Sequence, residues 1–385
     1  MKIGIDIFSY DKPGANSGVG PSVYVWKLLP ELFKQGYHHQ FIVFVNNDNK
    51  NILPLQKNLK IVVSPFSNRF RFLRVLHEQC YLPYQFRKHK LNIIHFFGNN
   101  ISYALSRKSV ITIHDLMWKY YLDRCDLKPK YLYFYLTIPY TIKLSKYIIT
   151  VSKFIAEEIK GKFNRKEGVI PIYEAPGDII FPSNNETHNY SQKYNYKYIY
   201  TVTTSLPHKN LKVLLEAFLQ IKKSNLFEGR LVITGQLKGN FHQSTIEFIR
   251  LHQLENDIVL TGFITDTEKT YCYQHALIVV YPSLYEGFGL PILEAMIAGT
   301  PVITSNAASM PEVGGSACIY FDPKSTSELF DKMSFLLKNT SKQSDMVGLG
   351  KIQCKKFSWG ITAEETLQVY DKMSDKSYFT MSINI

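Results

Sequence analysis

The sequence predicts an α/β protein of two doubly wound, parallel-sheet halves facing each other across a cleft. Three observations predict it. A chain of 385 residues with 45% hydrophobic content has material for two cores. Short apolar or β-branched runs alternate with segments of helical spacing, the pattern of a parallel sheet with crossover helices. That alternation stops once, in the polar stretch from Gly177 to Tyr196, and then restarts. The stretch reads as a linker between a first domain over residues 1–178 and a second over 196–357.

In chain order, the first half opens with an apolar run from Lys2 to Ile7, the loop PGANSGVG and helical spacing from Val23 to Phe33. Further strands are read at Phe41 to Val45, Lys60 to Val63, Asn92 to Phe96, Ser109 to Ile113, Tyr147 to Val151 and Gly168 to Ile170. The second half reads YIYTV (strand), KNLKVLLEAFLQI (helix), RLVITG (strand), FHQSTIEFIRLHQL (helix), DIVLTG (strand), TEKTYCYQHA (helix), LIVVY (strand) and, further on, TPVIT (strand). The closing FSWGITAEETLQVYDKM is a helix with Ser358 or Thr362 as its N-cap.

Composition narrows the classes of function. The five cysteines are scattered and never form a C-x-x-C pair, which argues against a disulfide framework or a zinc site and for a reducing, cytoplasmic setting. No leader-like apolar segment follows Met1-Lys2, and no window is long and apolar enough to span a bilayer. The net charge of +13 invites nucleic acid, an anionic membrane surface or anionic small molecules as partners. No helix carries the Lys/Arg stripe or aromatic platform that nucleic acid requires, so that partner is set aside. Arg69, Arg71, Arg74, Arg87, Lys88 and Lys90 interleave with Phe70, Phe72, Leu76 and Tyr84. Such a segment reads either as a peripheral contact with anionic lipid or as a surface helix with a solvated basic face. The aromatic KPKYLYFYLTIPY at 128–140 has similar alternatives: core packing, an apolar acceptor site or a membrane-facing helix.

The chemistry concentrates in YPSLYEGFGLPILEAMIAGTPVI, residues 281–303. A strand runs into a glycine-bracketed turn and then a helix with Pro291 in its first turn. Glu286 precedes that helix and Glu294 lies about one turn inside it. Gly287 and Gly289 expose backbone, and the N–H groups from Phe288 onward form a helix N-terminus suited to an anion. Lys209 stands at the mouth of a helix beyond a strand, where a point charge suits phosphate, although a surface lysine is the commoner fate. Gly235, Gly262 and Phe263 end neighbouring strands on the same edge. In the first half, Gly18 and Gly20 open a helix as phosphate-cradling turns do, without a full dinucleotide fingerprint. His114-Asp115 follows a strand directly. That His either holds a substrate hydroxyl or shares a proton near neutral pH, or it merely packs under a loop.

The stretch Glu286-Gly-Phe-Gly-Leu-Pro-Ile-Leu-Glu294 resembles the E-x7-E signature of retaining nucleotide-sugar glycosyltransferases of the two-Rossmann (GT-B) type, the group 1 and family 4 transferases, mannosyltransferases among them. SGVG at 17–20, His114-Asp115, Lys209-Asn210, PEVGG at 311–315 and FSW…TAEETLQVY agree in order along nearly the whole chain. The resemblance implies a discontinuous first domain, with the closing helix, about 358–385, crossing back onto it. It implies that Glu294 accepts from the donor's ribose hydroxyls and that Glu286 faces the donor sugar. Backbone N–H groups of Phe288, Gly289 and Leu290 would surround sugar and diphosphate, Lys209 with Asn210 would neutralise the leaving diphosphate, and His114 with Asp115 would touch the transferred sugar. Gly18, Gly20, Gly262 and Phe263 complete the donor-binding set. No metal and no other cofactor is expected, since the chain has no Asp-x-Asp triplet. His208 stands where the family often has Arg, so the charge facing the diphosphate becomes partly pH dependent or an arginine elsewhere replaces it. Thr203-Thr204 and Asn16-Ser17 also depart from the family's usual residues.

The expected activity is transfer of a hexosyl unit from a nucleoside-diphosphate sugar to a hydroxyl of a glycan or lipid-linked glycan acceptor, in bacterial surface polysaccharide synthesis. The alternatives are a nucleotide-sugar epimerase of the same architecture and a non-catalytic sugar-nucleotide binding protein.

Overall fold

The structure, a computed structural model, describes residues 1–11, 20–53, 56–117 and 129–374, with backbone only at 71, 129–132 and 374. Gly18 lies outside the described residues. The chain divides into two units, Met1–Gly177 with Ser358–Ile385, and Asp178–Phe357.

Unit 1 is built on seven parallel strands: β1 (Lys2–Asp6), β2 (Gln40–Val45), β3 (Leu59–Val63), β4 (Ile93–Phe96), β5 (Ser109–Ile113), β6 (Tyr147–Thr150) and β7 (Val169–Pro171), in the order β3-β2-β1-β4-β5-β6-β7. Every residue of β4 and β5 is buried. Helices on both faces of a parallel sheet demand this, and it is why these strands read as mostly apolar or β-branched runs, with His95, Ser109 and Thr112 buried among them. Helix Gly20–Gln35 buries Tyr24, Val25, Leu28, Leu29, Leu32 and Phe33, a stripe at helical spacing.

The closing helix Trp359–Ser374 belongs to unit 1. Its anchors are polar. Trp359 Nε1 donates to Pro176 O (2.8 Å), Thr362 Oγ1 donates to Tyr173 O (2.7 Å), and the Tyr370 hydroxyl meets His95 Nδ1 at 2.6 Å. Of the two cap candidates, Ser358 accepts from Ile361 N, whereas Thr362 is a donor inside the helix.

Unit 2 carries six parallel strands: β8 (Tyr198–Val202), β9 (Arg230–Thr234), β10 (Ile258–Gly262), β11 (Ile278–Tyr281), β12 (Val302–Ser305) and β13 (Cys318–Phe321), in the order β10-β9-β8-β11-β12-β13. Helix Leu211–Lys223 presses Leu211, Leu214, Leu215, Phe218 and Ile221 into one core with Ile199, Leu231, Ile233 and Val280. In both sheets the first strand sits where the strand order reverses, β1 between β2 and β4 and β8 between β9 and β11. Ligands of such sheets settle beyond the carboxyl ends of the strands at that point.

The stretch expected to be a linker contains a helix, Asn184–Lys193, and belongs to unit 2. A capping box starts it: Ser183 Oγ accepts from Glu186 N while the Glu186 carboxylate accepts from Ser183 N. It is fastened by the Tyr194 hydroxyl and Lys193 Nζ, which both donate to Glu268 Oε1 (2.7 and 2.6 Å), rather than by aliphatic residues. Its polar composition therefore hides it. Between β12 and the closing helix the fold also contains β13 and the helices Met310–Gly314, Thr326–Lys338 and Thr340–Cys354, which the sequence reading passes over.

Candidate active site

In unit 2 the loop after β8 tightens into a short turn, Pro207–Lys209, and leaves it through Asn210 at φ 55°, a left-handed conformation that Asn tolerates better than most residues. The Asn210 amide donates to Pro282 O (3.1 Å) and Pro323 O (2.7 Å), tying this loop to those after β11 and β13. This fixes Lys209. Its Nζ donates to the Tyr281 hydroxyl at 3.0 Å and to Glu286 Oε1 at 2.7 Å. An ammonium has three donors, so a third stays available for an anionic ligand.

Lys209 and Glu286 settle each other's charge. Burial pushes the Glu286 carboxyl up, but the Lys209 ammonium and then His208 outweigh it and hold the group below the usual carboxylate range. Burial would discharge Lys209, yet Glu286 and Tyr281 hold its pKa above the ordinary lysine value. His208 is lowered to about 4, mainly by burial. It is therefore neutral around pH 7, and the expected pH-dependent charge at this position does not arise there in the free protein.

The turn from Pro282 to Gly289 is pinned by backbone-directed hydroxyls. Ser309 Oγ has its one proton to share between Phe288 O (2.5 Å) and Glu286 O (3.0 Å), and Ser305 Oγ donates to Ser283 O (2.5 Å). Gly289, at φ 116°, makes the corner into helix Leu290–Ala298, with Pro291 in the first turn. No side chain caps this N-terminus; Pro291 has no N–H and Ile292 N donates to Gly289 O (3.0 Å), so what the corner can offer a ligand is the backbone up to Leu290. The Phe288 ring is buried and packs on Phe357, which leaves only its backbone for the site.

Glu294 has its own partners. Lys269 Nζ donates to Oε1 at 3.1 Å and the Tyr273 hydroxyl to Oε2 at 2.9 Å. Sequence reasoning missed both, although their i,i+4 spacing on helix Asp266–His275 puts them on one face. At the neighbouring strand ends Gly262 sits at φ 67° with its carbonyl accepting from Gly235 N (2.9 Å), and the Phe263 ring is 64% exposed.

In unit 1, His114 follows β5 and meets the Tyr24 ring edge to face at 4.8 Å. Burial lowers it to about 4, against a hydrogen bond to the Phe97 backbone. It is thus a neutral imidazole, not one that shares a proton near neutral pH, and its Nε2 is buried with no hydrogen-bond partner among the described residues. Asp115 Oδ1 accepts from Met117 N (2.8 Å). Glu174, buried nearby, is pushed up to about 8 by burial and then by Asp115. Gly20 starts its helix with open space where a Cβ would stand. Among the described residues His38, His39 and Asp371 bring metal-type ligands together, but at the entry to β2, the opposite sheet edge from the residues above.

Residues 183–351 match the family described as Glycosyl transferases group 1, and residues 19–172 match Glycosyltransferase Family 4. O-antigen chain mannosyltransferase B of Escherichia coli is 30% identical over 289 residues, which cover 74% of this chain and 75% of that protein. Among solved structures, sucrose-phosphate synthase from Thermosynechococcus elongatus aligns with a TM-score of 0.74 at 18% identity, over 97% of this chain and 99% of that one. HepE of Anabaena aligns with a TM-score of 0.70 at 16% identity, over 97% and 100%. These likenesses take in both units, and with the parallel-sheet topology of each they establish that the chain belongs to the group 1 and family 4 glycosyltransferases and has their two-domain, Rossmann-like GT-B fold.

Proposed function

We propose that this glycosyltransferase moves a hexosyl unit, with retention and without a metal, from a nucleoside-diphosphate sugar to a hydroxyl of a glycan or lipid-linked glycan in bacterial surface polysaccharide synthesis. The observation that carries the reading is the Lys209–Glu286 pair beside an uncapped helix N-terminus. It supplies a fixed ammonium and the backbone at the start of that helix for a departing diphosphate, and a carboxylate for sugar hydroxyls. The E. coli relative is an O-antigen chain mannosyltransferase, and the Anabaena structure contains UDP and glucose. The first supports a surface glycan product and the second a nucleotide-sugar donor.

In this reading Glu294, oriented by Lys269 and Tyr273, accepts from the donor's ribose diol. Lys209 takes the role a metal plays in other transferases, neutralising the diphosphate as the bond from the anomeric carbon to its oxygen breaks. The acceptor oxygen forms the new bond on the same face and its proton passes to the departing phosphate. The neutral His114 imidazole holds a hydroxyl of the transferred sugar.

The exposed Phe70, Phe72, Leu76 and Tyr84, interleaved with Arg69, Arg87 and Lys88, support a cytoplasmic enzyme resting peripherally on an anionic membrane. Among the described residues no helix is long and apolar enough to cross one. A thermal-shift panel of UDP-, GDP-, ADP- and dTDP-sugars tests the donor class, because a ligand of the folded state raises its melting temperature. Anomeric coupling constants of the product then test retention, and turnover in excess chelator tests metal independence. No shift with any nucleotide sugar, or an inverted product, defeats the reading.

A further inference from the structure

The turn that enters β2 brings two histidines together. It runs Gly36-Tyr37-His38-His39 and is closed by His39 N, which donates to Gly36 O at 2.9 Å. Successive side chains of a strand point to opposite faces. Here the chain is turning, and the His38 and His39 rings lie side by side with centroids 3.9 Å apart. Tyr37 meets His38 edge to face at 5.5 Å, and Phe41 meets His39 in the same way at 6.1 Å.

The closing helix brings a carboxylate to the same place. A Cβ at Gly36 would stand 3.0 Å from the Leu367 side chain, so glycine lets the helix come close to the turn. Asp371 lies one helical turn beyond Leu367 and therefore on the same face. One ligand-type atom from each of His38, His39 and Asp371 lies within 4.8 Å of the others. His39 is 3% exposed, and its Nε2 has no hydrogen-bond partner among the described residues. That nitrogen faces Asp371 Oδ1 at 3.5 Å, beyond the range of a good hydrogen bond, while Nδ1 is turned towards Met1 N at 3.4 Å. Two donors held at about 2.0–2.1 Å by one tetrahedral ion stand roughly 3.3 Å from each other. The gap that is too wide for a hydrogen bond is the gap an ion fills.

We propose that His38, His39 and Asp371 bind one divalent transition metal of the zinc class, with water as the fourth ligand, and that this ion clamps the closing helix to the turn before β2. Two imidazoles and a carboxylate suit zinc rather than magnesium, which takes oxygen ligands in an octahedron. The recess beside His38 gives the ion its way in. Lys2 and Lys90 on the wall of that recess oppose a cation held by charge alone, which also favours a coordinated metal. The site lies at the amino ends of the unit 1 strands, whereas His114 follows the carboxyl end of β5. The ion is therefore structural and has no part in the transfer.

The test is isothermal titration of zinc chloride into the chelator-stripped full chain, with thermal melts of the same samples. One zinc should bind per chain and raise the melting temperature, and magnesium chloride should do neither. His38→Gln and Asp371→Asn, both at exposed positions, should each weaken zinc binding about tenfold or more and abolish the rise, while melting like the parent in chelator. Cobalt(II) in place of zinc should show tetrahedral absorption without a sulfur charge-transfer band, which separates this site from the chain's cysteines. No binding of zinc overturns the inference. Binding that both variants leave unchanged, or a sulfur band with cobalt, places the ion elsewhere and overturns it too. Binding at these residues with no rise in melting temperature removes the clamp.

Discussion

Lys209 and Glu286, 77 residues apart in sequence, meet at 2.7 Å on the carboxyl edge of the unit 2 sheet. Removing one partner of a half-buried pair is not equivalent to removing the other. Glu286→Gln leaves Lys209 a neutral acceptor and the Tyr281 hydroxyl, and should lower transfer on the order of a hundredfold and the melting temperature by less than Lys209→Ala does. Lys209→Ala strands a buried carboxylate and should add a stability loss of about 3 kcal/mol to a similar fall in rate. Turnover and thermal melts of both purified variants decide this; undiminished turnover in both removes the site assignment.

The pair also sets an acid limit. The lowered Glu286 contributes stability fully above the ordinary 4.5 and loses it as pH falls through its depressed value. The raised Lys209 contributes fully below 10.5 and loses its share only at higher pH. Between those limits the melting difference between the parent protein and Glu286→Gln should be flat, and below pH 4.5 it should close. A difference that persists unchanged in acid contradicts the ionised pair.

Glu174 should behave in the opposite sense. Its folded value of about 8 exceeds the ordinary 4.5, so the stability it contributes is complete below 4.5 and is lost as pH rises towards 8, at about 1.4 kcal/mol per pH unit at most. Glu174→Gln should melt like the parent near pH 4.5 and progressively higher above it. Parallel melting curves across that range would show that Glu174 ionises normally.

Gly235 closes β9 at φ 129°, where an added Cβ would lie 1.8 Å from Thr203 O. Backbone cannot yield as a flexible side chain does. Gly235→Ala should cost about 3 kcal/mol or more through overlap and strain together, read in a urea melt of the full chain.

For the membrane contact, neutralising Arg69, Arg87 and Lys88 to Gln should weaken binding to acidic vesicles on the order of a hundredfold, from about 1 kcal/mol per charge. Flotation at low and high salt measures it, and unchanged flotation removes the membrane from the proposal.

Local pattern was enough for much of this protein. Strands buried on both faces are mostly apolar or β-branched, so β1, β2, β5 and β11 stand out as runs, and the glycine turn before Pro291 announces a helix N-terminus with no side-chain cap. Those features depend on neighbours in sequence. What depends on distant partners was hidden. Helix Asn184–Lys193 is held by Glu268, and the neutral state of His114 and His208 comes from burial that no local window reports. Lys269 and Tyr273 meet Glu294 only because a preceding helix packs beside it, and His77 meets Asp6 across 71 residues of sequence. Sequence alone determined which chemical groups the chain owns and on which elements they ride. The tertiary structure decided which of them share low-dielectric space, and that sharing sets their charge.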